Sequence, residues 1–243
     1  MRLLAFAKRT FLEIIRDPLT VFFGVGFPVV LLLVLSAIQA NIPVSLFEID
    51  KLAPGMTVFG LSFMSLFSAS LIAKDRESAF LQRLYLSPMT ALEFILGYTL
   101  PLLLLAFLQS TICYVVGLCL GLTPTWNILL ALLFILPIAL FFIGLGLLFG
   151  SLLTQKQTGG ICGALLTNLT AFLSGIWFDL ELVGGIFAKI ANCLPFLHAV
   201  RLEQLVYAGV FGEMWHHLLW VSAYAVIAVA VAVYFFLKQM RKK

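Results

Sequence analysis

Few side chains in this sequence are of a type that does chemistry at close quarters. They are His198, His216 and His217, the cysteines Cys113, Cys119, Cys162 and Cys193, and the charged run Lys74-Asp75-Arg76-Glu77. Nucleophilic catalysis needs a nucleophile within hydrogen-bond reach of a base. The histidines fall in or beside one long connection, and no apolar run offers them a paired nucleophile. A metal centre needs Cys or His at ligand spacing; without CxxC or a Cys/His cluster, the cysteines read as packing residues. The sequence holds no GxxxxGK[ST] phosphate loop and no Gly-Lys pair. The charged run differs in kind. It leads into Phe80, Leu81, Leu84 and Tyr85, which recur at helical spacing, so a helix here would carry an apolar stripe able to fill a groove on a partner. Arg76, Glu77 and Arg83 would then supply rim ion pairs, worth little beside the apolar anchors. The plain alternative is a connecting helix resting on a membrane surface.

The elements around these residues are set by composition. With 63% hydrophobic residues, 11% charged and 23 Phe, and a mean hydropathy of +1.12, the chain lies far outside the range of soluble domains. It reads as an all-α integral membrane protein, because its apolar runs have the length of a membrane-crossing helix rather than of a barrel strand. Six runs can be drawn, Leu19 to Ile38, Pro54 to Ala73, Phe94 to Leu120, Asn127 to Gly150, Gly159 to Phe178 and Leu218 to Leu237. Connections this short leave no room for an appended soluble domain, so 1–243 reads as one membrane domain. Twelve of the 15 Lys and Arg fall in one set of connections, which predicts that both termini are cytoplasmic. The other set holds only Lys51, Lys189 and Arg201. The net charge of +4 is then a topology signal, and no nucleic-acid partner is expected. No cleavable leader is expected either, since the opening is interrupted by Lys8, Arg9, Glu13 and Arg16.

Residues 1–17 predict an interfacial helix with Leu4, Ala7, Phe11 and Ile14/Ile15 toward the acyl boundary and basic residues toward headgroups. Arg16-Asp17-Pro18 predicts its end. Residues 179–217 are too long and apolar for a plain loop, yet broken by Gly184-Gly185, Pro195 and Gly209. They read as two short helices partly re-entering the outer leaflet, or as a lid over the bundle end. No Asp, Glu, Lys or Arg lies inside any predicted span, which disfavours a proton relay or fixed ion site. Gly159, Gly160 and Gly163 predict close helix approach, within the bundle or at a dimer seam.

Taken in order, Arg16-Asp17-Pro18, Asp75-Arg76-Glu77 through Leu84, Ser87 and Pro88, and Ser174-Gly175-Ile176-Trp177-Phe178 followed by Leu194-Pro195 resemble the ABC-2 family of transporter permeases over nearly the whole chain. Two departures are Ser78-Ala79, where members often carry Gly-Thr, and Asp179, where they often carry Pro. The resemblance implies the membrane subunit of an ABC exporter, with six spans, a coupling helix over 74–93 and an outer re-entrant element over 179–217. It implies a cytoplasmic ABC ATPase as partner, which would hold ATP and Mg while this chain holds no cofactor. It also implies a second permease subunit, surrounding membrane lipids, and a bacterial or archaeal plasma membrane. Hydrophobic drugs, lipids, peptides or glycans are the cargo of such systems. Arg76, Glu77, Phe80, Leu81, Arg83, Leu84, Tyr85, Ser87 and Pro88 are then the coupling residues. Phe59, Phe63, Phe67, Thr167, Asn168, Thr170, Phe172 and Ser174 are the expected path lining, although Ser and Thr in spans also serve helix packing. A nucleotide-independent secondary transporter or channel is the alternative, and an intramembrane enzyme ranks last.

Overall fold

The computed structural model describes residues 2–78, 89–178 and 180–241; for Ala91, Glu181, Leu182 and residues 239–241 it describes the backbone alone. Among the described residues every regular element is helical. Helix α1 (Arg2–Arg16) stops because Asp17 precedes proline and adopts extended backbone. The Asp17 carboxylate then caps α2 (Pro18–Gln39), accepting from the Leu19 amide at 3.2 Å and the Thr20 hydroxyl at 2.6 Å. Helix α2 runs through a π-helical stretch, Phe22–Gly26. Next come α3 (Ile49–Glu77), α4 (Ala91–Cys119) and α5 (Asn127–Leu152). Helix α4 opens on a capping box in which Thr90 and Glu93 satisfy each other's backbone amides. Helix α6 covers residues 155–173, opens on a second box made by Thr154 and Gln157, and is π-helical over Gly159–Leu166. Three short helices follow, α7 (Leu180–Val183), α8 (Gly185–Cys193) and α9 (Pro195–Ala208), the last ending at Gly209 with φ 76°. Helix α10 (Phe211–Arg241) closes the order.

Five helical stretches are long and apolar enough to cross a membrane: α2, α3, Leu92–Cys119, α5 and Phe211–Lys238. The sixth predicted run differs. Its helix begins with the polar Gln155-Lys156-Gln157 and stops at Leu173, where Ser174 and Gly175 (φ 77°) break it short of Phe178. Even so, α6 joins the two ends of the bundle. The Gln155 amide donates to Glu77 at 2.8 Å, whereas a Cβ on Gly55 would stand 3.1 Å from Ile176 just beyond the helix. Gly55 and Glu77 lie about 33 Å apart along α3 at 1.5 Å per residue. One end, marked by Arg76, gathers α1, the end of α3, the starts of α4 and α6, and the end of α10, whose Phe236 meets Phe94 at 6.1 Å. The other, marked by Arg201, gathers α8, α9 and the start of α10. There Tyr207 donates to Asp50 at 3.0 Å and Asn127 donates to the Tyr207 carbonyl at 3.1 Å.

Helix α3 is the axis. Its apolar window is 89% buried, against 22% for those of α2 and α10. A helix surrounded on all sides must be thin, and α3 is rich in Ala, Gly and Ser. Ser62 and Ser65 return their hydroxyls to the Phe59 and Ser62 carbonyls, and Ser68 donates to Ile143. On α5, Gly146 and Gly150 lie against the backbone of α3; a Cβ on Gly150 would sit 2.6 Å from the Ala69 oxygen. The glycines singled out on α6 behave differently. Gly163 contacts Leu66, but a Cβ on Gly159 or Gly160 would meet nothing within 4 Å.

Candidate functional site

Three cavities follow one another along α3. The first, about 360 Å³, lies at the Arg76 end among Glu13, Asp17, Phe23, Phe67, Ser70 and Lys74. The second, about 440 Å³, is walled by Phe23, Phe27, Phe59, Phe63, Phe172 and Trp177, with Gly163, Thr167, Asn168 and Phe178. The third, about 390 Å³, lies at the Arg201 end and includes Phe47, Lys51, Ser174, Phe178, Arg201 and Gln204. Phe23 belongs to the first and second, and Phe178 to the second and third. Among the described residues no charged side chain lines the middle one.

Helical spacing builds the middle cavity. Phe59, Phe63 and Phe67 repeat every fourth residue on α3, with ring centroids 5.7 and 6.4 Å apart. Phe23 and Phe27 on α2 repeat likewise and meet Phe63 at 5.9 and 5.8 Å. Both π-helical stretches reach this cavity, through Phe23 and Gly163. The Trp177 ring lies 6.3 Å from Phe59, and its indole N–H is buried without a partner among the described residues. The cavity thus offers an aromatic wall with the Asn168 amide beside it, which suits an apolar or amphipathic body.

Of the predicted lining residues, Phe59, Phe63, Thr167, Asn168 and Phe172 meet here. Phe67 turns to the first cavity and Ser174 to the third. Thr170 is fully buried and donates to the Leu166 carbonyl at 2.9 Å, a packing position. The sequence reading missed Phe23, Phe27, Trp177 and Phe178 as lining, although the Phe23, Phe27, Leu31 spacing marked a face of α2.

Of the predicted coupling residues, Phe80, Leu81, Arg83, Leu84, Tyr85, Ser87 and Pro88 lie outside the described residues. Arg76 and Glu77, expected at a rim, bond within the chain. The Arg76 guanidinium donates to the carbonyls of Ser151 and Leu153, and Glu77 accepts from the Gln155 amide. The last carbonyls of a helix have no intrahelical donor and attract a cation, and the first amides attract an anion. The two charges therefore staple α3 to the joint between α5 and α6. Beside them Asp75, 2% exposed, accepts from both Arg9 nitrogens at 2.6 and 2.7 Å and from Tyr98 at 2.7 Å. Asp75 holds the Arg9 guanidinium above its ordinary pKa. Lys74 reaches Glu13 at 2.6 Å. Helix α1 is thus tied to the end of α3 by two ion pairs. Its buried stripe is Phe6, Thr10 and Ile14, while Leu4 and Ile15 stay exposed.

At the Arg201 end, Glu203 is fully buried, accepts from Tyr114 at 2.8 Å and has a second oxygen without a partner among the described residues. Its spacing from Ala199, Val206 and Tyr207 puts it on an apolar face of α9. The histidines also gather here. His198 Nδ1 lies 2.7 Å from His217 Nδ1, and His198 Nε2 lies 2.9 Å from the Asn192 carbonyl. Since a carbonyl only accepts, His198 carries its proton on Nε2 and His217 donates from Nδ1. Trp220 stacks on His198 at 5.1 Å. Burial lowers the pKa of His198, and nearby His216 lowers it further, against the Asn192 carbonyl. Among the described residues no three His, Cys, Asp or Glu side chains are grouped to hold a metal ion.

No curated protein matches the sequence. The family model of the ABC-2 type transporter matches residues 1–207, most of the chain, which therefore belongs to the ABC-2 type transporter family of multi-pass membrane proteins.

Proposed function

We propose that this chain is the permease subunit of an ATP-driven exporter that moves hydrophobic or amphipathic substrates out of the cytoplasm or inner leaflet by alternating access. The observation that carries the reading is the series of cavities along α3, neighbours in which share Phe23 and Phe178 as lining, with no charged residue among the described lining of the middle one. A weakly binding aromatic stretch between two polar mouths lets an apolar body enter and leave, where a fixed charge would trap or exclude it. The Arg76 end is cytoplasmic, because Lys and Arg concentrate there. Helix α6 makes the sixth crossing; lipid or a second subunit covers its polar start. Both termini are then cytoplasmic, in the plasma membrane of a bacterium or archaeon.

The motor is a separate ABC ATPase that binds ATP and Mg and docks on 74–93. Phe80, Leu81, Leu84 and Tyr85 anchor it, with Arg83, Ser87 and Pro88 beside them. A push on this segment reaches the bundle through Arg76 and Glu77, which fasten the end of α3 to α5 and α6. A second permease subunit completes the path at the open face of α6 near Gly159 and Gly160. The test is flux in proteoliposomes holding this chain together with its ATPase. Flux is expected only with ATP and is expected to vanish in Leu84→Asp. Flux without nucleotide, unchanged by Leu84→Asp, points instead to a secondary transporter or channel.

A further inference from the structure

We propose that the cavity at the Arg201 end is a binding site for the anionic headgroup of an amphipath whose apolar chain lies along Phe178 toward the aromatic cavity. The inference rests on the path reading above and adds a substrate class to it.

The first observation is convergence. The connections on this side hold only three basic residues, Lys51, Lys189 and Arg201, and two of them line one cavity of about 390 Å³. They are 150 positions apart in sequence, brought together where α9 crosses the start of α3. The second observation is that no carboxylate is among the described lining residues, on a side of the chain where acids outnumber bases. Among the described acids near it, Asp50 accepts from Tyr207 and the buried Glu203 accepts from Tyr114, while Glu48 pairs with the exposed Lys51 at 3.1 Å and leaves Arg201 as the unpaired cation of the cavity. Arg201 makes no hydrogen bond or ion pair with any described residue, and its side is exposed to the cavity. A guanidinium left without a partner beside apolar walls is a ready bidentate donor for phosphate, sulfate or carboxylate.

The third observation is the wall. Leu52, Ile176, Phe178 and Leu197 line the same cavity, and Phe178 continues into the middle one. A free inorganic anion would gain nothing from those side chains. An anion on an alkyl chain would gain from both ends, its head at Arg201 and its chain against the rings.

The probe is dodecyl phosphate, bound to the full chain in phosphatidylcholine nanodiscs and counted by equilibrium dialysis above empty nanodiscs. It is expected to bind about tenfold more tightly than dodecyltrimethylammonium and than inorganic phosphate. Arg201→Gln is expected to remove that preference, Lys51→Gln to weaken it, and Arg201→Lys to keep most of it. Arg201 makes no hydrogen bond or ion pair among the described residues and Lys51 only its exposed pair with Glu48, so these variants should fold; an unchanged thermal midpoint checks this. Equal binding by wild type and Arg201→Gln overturns the proposal, and so does inorganic phosphate binding as tightly as dodecyl phosphate. Doping the nanodiscs with phosphatidylglycerol separates two sources of the headgroup. Competition assigns the site to a resident lipid and its absence assigns it to a free amphipath; either result keeps the anionic-headgroup chemistry. Loss of the binding preference with ATP-driven flux intact overturns this inference alone. Intact binding with nucleotide-independent flux overturns the exporter reading alone.

Discussion

Asp75 carries three hydrogen bonds at 2.6 to 2.7 Å from side chains on two other helices. Asp75→Asn removes the charge that Arg9 faces and one acceptor oxygen. Hydrogen bonds to charged groups contribute about 1.5–3 kcal/mol, and Arg9 is 35% exposed and can recover some water. The expected loss is about 2 kcal/mol, seen as a lower thermal midpoint of the purified protein. Tyr98→Phe leaves the ion pair and should lose about 1 kcal/mol. An Asp75→Asn midpoint equal to that of wild type would mean that the pair contributes nothing. His198 gives a pH dependence. Its folded-state pKa lies below the ordinary 6.5, so its neutral form belongs to the folded state. That contribution is complete above about pH 6.5 and is lost as pH falls through the lowered value. A second proton on His198 places two N–H groups face to face and ends the bond to His217. Trp220 fluorescence should therefore fall on acidification with a midpoint below 6.5, and this transition should be missing in His198→Gln.

At the scale of elements, the contact between α3 and α5 depends on glycine. A Cβ on Gly146 would stand 2.6 Å from the Ser68 side chain, and one on Gly150 2.6 Å from the Ala69 oxygen. Gly146→Ala and Gly150→Ala force the helices apart and should each cost about 1–3 kcal/mol as overpacking, measured as thermal midpoint. Gly159→Ala on α6 meets open space and should leave the midpoint unchanged or raised. Thr90→Ala removes the capping box of α4 and should cost about 1 kcal/mol. The four-residue spacing of Gly146 and Gly150 was visible in the sequence as a small-residue pair. Gly159 and Gly160 meet no neighbour among the described residues of this chain; composition marks where backbones are able to approach and says nothing of which face meets a neighbour. The end of α1 was legible at Pro18, and the helices within 179–208 at their glycine and proline breaks, since both are local backbone effects.

At the scale of the molecule, the open start of α6 makes a prediction about assembly. Gly160→Cys, in a chain with Cys119 and Cys193 replaced by Ser, should give a disulfide-linked dimer under mild oxidation, seen on a non-reducing gel. Failure to cross-link in membranes would move the second subunit to another face.

The sequence by itself determined the membrane class, five of the six apolar helices drawn from it, the concentration of basic residues in one set of connections, and the aromatic ladder Phe59, Phe63, Phe67. These follow from composition and from periodicity within one helix, which need no knowledge of neighbours. Only the tertiary structure decided that Phe23 and Trp177 complete the cavity, that Arg76 caps another helix, and that Glu203 is buried. It also decided that Arg201 and Lys51 line one cavity, beside which Gln204 reaches the Lys51 carbonyl across 153 positions. Such contacts depend on which faces of distant helices meet, and no local pattern specifies that.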